Sequence, residues 1–238
     1  MKNIIAITIL LLAGLSAAGQ TKDLKRNQFA DFSASIGKSA GTVALSYVHN
    51  WRTGKKKKFE LGIGGRFTSY IGQNRYYRTA PAIITSGKTG PLVFFEQDIV
   101  ANIDTVLINH PQVNLLNLTF NFGYHFNAKW YAGFNIDVIG FSFGADKAGR
   151  FINGSSGQLT KASIANFNAL LTSDNDYGSL NSELFGKYQF NKKWGVKAGL
   201  QFLFTEYKTN TKVQTYPRLN DRFRNKVPAF VGGVSYNF

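Results

Sequence analysis

Between Val113 and Ala145 the chain reads VNLLNLTFNFGYHFNAKWYAGFNIDVIGFSFGA, a pattern that few folds accept. Leu116, Leu118, Phe120, Phe122, Tyr124 and Phe126 occupy one side of a period-2 alternation, and Asn117, Thr119, Asn121, Gly123 and His125 the other. Successive side chains of a strand point to opposite faces, so this is a strand wet on one side only. A second arm follows the short polar turn Asn127-Ala128-Lys129, with Trp130, Ala132, Phe134, Ile136 and Val138 opposing Tyr131, Gly133, Asn135 and Asp137. The pair reads as a membrane-spanning β-hairpin.

The same alternation recurs along the chain. Strands are predicted over 29–38, 42–51, 59–71, 179–190, 194–207 and 226–238, which with the hairpin makes eight. Strands of roughly 10 to 14 residues at a strong tilt suit a hydrocarbon core about 30 Å thick. The turns at 52–58, 127–129 and 191–193 are short, whereas the connections at 72–112, 146–178 and 208–225 are long. That asymmetry is the pattern of an outer-membrane barrel, with short turns in the periplasm and long loops outside. The expected fold is all-β, a closed antiparallel up-and-down transmembrane β-barrel of eight strands. Ten strands result if the apolar patches at 92–95 and 103–108 form a further hairpin instead of extending their neighbours. In 146–178 the spacing of Ile164, Phe167, Leu170 and Leu171 admits either a short capping helix or packed loop residues.

The N-terminus supplies an address. Lys2, an apolar run over 4–15 and the small residues Ser16-Ala17-Ala18-Gly19 read as a cleaved signal peptide over 1–19, followed by a linker over 20–28 and a barrel domain over 29–238. No later stretch approaches the ~18 consecutive apolar residues of a membrane helix. The absence of cysteine excludes disulfides, thiolate metal sites and thiol catalysis. The net charge of +15 would ordinarily suggest nucleic acid, but export argues against it, and anionic lipid or lipopolysaccharide is the expected counter-charge.

Three strands close on the same local text: Tyr124-His125-Phe126, Tyr188-Gln189-Phe190 and Tyr236-Asn237-Phe238. Two continue alike, as Asn127-Ala128-Lys129-Trp130 and Asn191-Lys192-Lys193-Trp194. Amphipathic rings settle at headgroup level, so Tyr124, Phe126, Trp130, Tyr188, Phe190 and Trp194 form the expected periplasmic aromatic girdle. With its export signal, dyad strands, uneven loops and terminal aromatic strand, the chain resembles the small gram-negative outer-membrane β-barrels of the OmpA, OmpX and OmpW size class. The segment 133–144 also resembles an uncharacterised outer-membrane barrel family. The resemblance implies that Tyr236 and Phe238 are read by the barrel-assembly machinery, and it places the protein in the cell outer membrane.

Alternation puts Asp31, Glu60, Asp137 and Glu183 inside the barrel with Arg66, Lys187 and Lys197, beside Asn117. A lumen this narrow is filled by side chains, so these nearly balanced charges are expected to form a polar network, a proton or ion path being the alternative. Lipid A chemistry needs a nucleophile and an oriented base at the outer leaflet. His49 and His125 fall at the opposite end and His110 lies in a loop, so no catalytic residue, metal ligand or cofactor site is expected. The basic stretch 208–225 is a candidate for lipopolysaccharide phosphates, and the lysines at 55–58 for anionic headgroups or a periplasmic partner. The expected role is non-enzymatic, structural or surface-interacting, through the long loops. A narrow channel for small solutes is the alternative.

Overall fold

The computed structural model describes residues 26–152, 157–171 and 175–238. The stretch 1–19, and most of the linker, lie outside them. Eight long strands account for most of the described chain: β1 (Arg26–Gly37), β2 (Ala40–Thr53), β3 (Phe59–Gly72), β6 (Gln112–His125), β7 (Trp130–Phe143), β11 (Leu180–Gln189), β12 (Trp194–Thr209) and β13 (Arg222–Asn237). Each pairs antiparallel with the next in this order, and β13 returns to pair with β1, so the strands form a ring.

The strand count departs from both eight and ten. Five short strands, β4 (Arg75–Thr79), β5 (Thr105–Ile108), β8 (Lys147–Phe151), β9 (Leu159–Ile164) and β10 (Phe167–Ala169), bring the sheet to thirteen. Most of them build a second, smaller ring at the loop end. Beyond the end of β11, the edge of β12 takes β9, which pairs β8, then β5, then β4, and β4 pairs β13. Since β12 and β13 stay paired as far as Lys208 and Arg222, these six strands close on themselves. An open strand edge demands backbone partners. That demand explains why Ile164 and Phe167 lie in strands despite their helical spacing. Of the patches in 72–112, part of 103–108 becomes β5, whereas 92–95 falls in a 3-10 turn (Gly90–Phe95).

The two rings have opposite polarity. On the large ring Phe32, Leu45, Leu116, Leu118, Leu200 and Phe230 are exposed outward, while Ser33, Asn121, Gln201 and Ser235 are buried inside. In the small ring Tyr77, Val106, Ile108, Phe151, Ile164 and Phe223 pack inward as an apolar core, whereas Tyr76, Arg78, Arg150 and Lys161 face out. Tyr70, Val113 and Leu115, at the loop ends of β3 and β6, join that core, so it caps the large ring.

One interruption of the alternation falls at Val138. Leu118 pairs with Ile139 but Thr119 pairs with Asp137, so Val138 is an extra residue, a β-bulge. Val138 and Ile139 both turn outward, and Gly140 and Ser142 take the inward positions. A Cβ at Gly140 would run into the Leu116 carbonyl and the Asn117 side chain, which is why glycine follows the bulge. Leu180, which the alternation of β11 puts on the same side as the exposed Leu184, is buried at the loop end of the strand.

The repeated turn text has a direct physical cause. Asn127 Oδ1 accepts from the backbone N–H groups of Lys129 and Trp130 at 2.8 and 2.9 Å, and Asn191 Oδ1 accepts from those of Lys193 and Trp194, both at 2.8 Å. Phe126 N–H donates to Trp130 O, and Phe190 N–H to Trp194 O, each at 3.0 Å. The asparagine closes both turns as a side-chain mimic of backbone. Asn127→Ala and Asn191→Ala are each expected to lower stability by about 1 kcal/mol, measured by urea unfolding of refolded protein in micelles. Asn→Asp, which keeps the acceptor, is expected to retain most of it.

Candidate functional site

The interior of the large ring is the most concentrated chemistry in the described chain. Lys187, on β11, donates to Asp31 Oδ1 at 2.7 Å and to Ser235 Oγ at 3.0 Å. Lys197, on β12, bridges Asp31 Oδ2 at 3.5 Å and Glu183 Oε2 at 2.5 Å. Glu183 lies 3.4 Å from Arg66 Nη1, and Arg66 donates to Asp137 Oδ1 through Nε and Nη2 at 3.1 and 2.5 Å. Asp137 Oδ2 then accepts from Asn117 Nδ2 at 2.7 Å and from Asn181 N–H at 2.9 Å. Three cations and three carboxylates thus alternate in a single chain of contacts, each of the six no more than 2% exposed.

Six buried charges would be prohibitive singly, because withdrawing an ion from water costs several kcal/mol even after relaxation. Alternation of sign and shared hydrogen bonds offset that cost, with Glu183 Oε1 the one carboxylate oxygen of the six charges left buried without a partner among the described residues. Arg66 also donates to Asn135 Oδ1 and to the Asn181 carbonyl, both at 2.6 Å. The Lys187 ammonium sits 3.1 Å from the Phe29 ring centroid and that of Lys197 4.4 Å from the Phe185 centroid, and the electron-rich ring faces add to the attraction of the carboxylates.

The structure joins Asp31, Asn117, Asp137, Glu183, Arg66, Lys187 and Lys197, but places Glu60 in a separate group near the turns. Glu60 accepts from Arg52 Nε at 2.9 Å, Asn50 Nδ2 at 2.7 Å and Asn27 Nδ2 at 2.9 Å, and meets His125 Nε2 at 2.6 Å. His49 pairs with Gln28, and His110 stands in a connection with φ of +43°. Sequence reasoning missed Asn168, which reaches in from β10 to donate to Asn117 Oδ1 at 2.8 Å while its own Oδ1 accepts from Ser142 Oγ and Ser179 N–H. It lies in what reads as a long loop, and nothing in its local pattern signals an inward position.

At the turn end the exposed rings form contacts across neighbouring strands. Tyr124 packs on Phe59 and Phe126, Trp130 on Tyr188, and Tyr188 on Phe190, with centroids 4.9 to 5.8 Å apart. Trp194 packs on Tyr236, which packs on Phe238, which meets Tyr47. At the loop end only the two ends of the basic stretch 208–225 are strand, Lys208 and Thr209 in β12 and residues 222–225 in β13. Arg222 and Arg224 do not project into solvent as the sequence suggests: both bind Glu206, at 2.7 and 2.9 Å, and donate to the Asp176 carbonyl. Lys208 and Arg222 also face the Tyr177 ring, whereas Lys212 and Arg218 are exposed.

No group of metal-ligating residues occurs among the described residues, and no described helix is long and apolar enough to cross a membrane. An apolar exterior around a charged interior is the arrangement of a sheet that crosses a membrane with strands. No family model and no curated protein matches the sequence. Similar solved structures include Neisserial surface protein A (10% identity, 90% of this chain and 96% of that chain covered, TM-score 0.33). Another is Ail, the attachment invasion locus protein of Yersinia pestis, solved with the heparin analogue sucrose octasulfate (11% identity, 91% and 100% covered, TM-score 0.37). The Pseudomonas putida toluene transporter TodX is a third (8% identity, 91% and 90% covered, TM-score 0.24).

Arg66→Met leaves Asp137 and Glu183 without their shared cation and is expected to cost about 3–5 kcal/mol, read from urea unfolding. Adding Asp137→Asn is expected to recover part of that loss. Strictly additive losses would show that the two side chains are not coupled.

Proposed function

We propose that this chain is an integral outer-membrane β-barrel of eight membrane-spanning strands. In this reading it does no chemistry and serves as a structural or surface-interacting element through the crown of short strands at its loop end. One observation carries the non-conducting part: packed side chains block the axis beyond the turn-end opening. Phe29, Tyr131, Phe185 and Lys187 occupy the turn side, the six-charge chain the middle, and the apolar core around Tyr77, Tyr207 and Phe223 the loop side. An eight-stranded barrel is just wide enough for its side chains to fill it.

The exposed leucines and phenylalanines of the large ring are its lipid face, and the ring contacts running from Phe59 to Tyr47 support an aromatic girdle at the periplasmic headgroups. Lipopolysaccharide is the proposed partner of the crown, with exposed cations such as Lys212 and Arg218 at its rim. Tyr236 and Phe238 are the proposed signal to the barrel-assembly machinery. Both sit in the ring contacts that join β13 to its neighbours.

Leu118, halfway along β6, tests the lipid face. Leu118→Arg is expected to destabilise the protein in liposomes by about 2–4 kcal/mol. A change within about 0.5 kcal/mol is what a water-facing position gives, and would refute a membrane position for this ring. Purified protein in planar bilayers is expected to carry no steady current, and sustained open currents would overturn the closed-axis reading in favour of a channel.

A further inference from the structure

At the turn end the large ring opens into a blind cup of about 460 Å³. Its inner wall carries the inward-facing Phe29, His125, Tyr131 and Lys187, so the cup opens into the ring, while Trp130 and Phe238 reach its edge from the outer girdle. Its rim is built by the three short turns. The first supplies Lys56, Lys57 and Lys58, the second Lys129 and the third Lys192, with Arg52 lower on the wall. No aspartate or glutamate side chain lines it.

Convergence of these groups is a consequence of the fold. The turns are far apart in sequence, and only ring closure brings their lysines around one opening. Arg52 and Lys187 have carboxylate partners, Glu60 and Asp31, beneath the wall. Among the described residues the lysines from the turns make no ion pair with an acidic side chain, and Lys58 donates weakly to the Phe126 carbonyl at 3.4 Å. Lys57 holds a φ of +50°, the left-handed region that favours glycine, so its backbone gains nothing from being lysine. Concave walls of low polarizability concentrate the field of like charges gathered at their mouth.

We infer that this cup is a binding site for a soluble multivalent anion of the phosphate or carboxylate class, entering along the ring axis from the turn side. Lysine suits it as a point-charge donor on a flexible stem, which selects for charge more than for planar geometry. A lipid headgroup is disfavoured because headgroups meet the outside of the ring, whereas the floor of the cup, at Phe29, Tyr131 and Lys187, lies inside it. The inference rests on the ring and its turns and does not require the role proposed for the crown.

Trp130 lines the cup and serves as a reporter. The full chain carrying Trp51→Phe and Trp194→Phe is refolded into phosphatidylcholine nanodiscs and titrated with sodium tripolyphosphate, and in parallel with citrate, at constant ionic strength. A saturable change in Trp130 fluorescence that weakens as NaCl is raised is expected. Lys56→Ser, Lys57→Ser, Lys129→Ser and Lys192→Ser combined are expected to weaken it by roughly tenfold or more. These are turn side chains, and an unchanged unfolding midpoint confirms that the ring is intact. Lys212→Ser with Arg218→Ser, at the opposite end, should leave binding unchanged. No saturable change with either anion, or equal weakening by the two sets of substitutions, overturns the site. Loss of tripolyphosphate binding when phosphatidylglycerol is added to the nanodiscs overturns the soluble-anion assignment and makes the cup a headgroup site.

Discussion

Six charges buried inside a strand ring cannot fall back on water, and most of what is distinctive in this protein follows from that constraint. Arg66 is its centre. It touches Asp137 and Glu183, and through Glu183 and Lys197 it communicates with Asp31 and Lys187. The six residues come from β1, β3, β7, β11 and β12, so contacts among them tie together walls that the backbone ladders link only to nearest neighbours. The network therefore selects one shear and one register, because a one-residue slip of any strand would turn its charge outward into the apolar face.

The capping ring solves a different problem. Where β11 ends, β12 and β13 continue, and their edges need partners. The long connections supply them, and beyond this level the surrounding medium changes from apolar to aqueous. Polarity inverts accordingly. Inward positions on the shared strands β12 and β13 shift from Lys197, Gln201 and Ser235 to Leu203, Tyr207 and Phe223, without any change in which face points in. A single pair of strands thus belongs to an inside-out assembly at one end and to an ordinary hydrophobic core at the other. The two rings share β12 and β13, and the core of the smaller closes over the loop end of the larger.

Much of the large ring was legible because period-2 patterning needs no tertiary information. The faces of Asp31, Glu60, Arg66, Asp137, Glu183, Lys187 and Lys197 follow from alternation alone, and the Asn-x-Lys-Trp turns announce themselves by repetition. The short strands were not legible. Those such as Val106–Ile108 and Ala162–Ile164 are too brief for their alternation to stand out, and they owe their conformation to edges that exist only after the large ring has formed. For the same reason Arg222 and Arg224 read as a basic loop although Glu206 holds them, and Leu180 reads as outward-facing although it is buried.

By itself the sequence determined the eight long strands, the side of each that is charged and the positions of the short turns, because these depend on local stereochemistry and on a pattern repeated every second residue. Only the tertiary structure decided which charges meet, that the loops build a second ring with an apolar interior, and that lysines from three separate turns surround one cup. Those outcomes depend on ring closure, which sets strands far apart in sequence at fixed distances and heights, and no local pattern encodes that geometry.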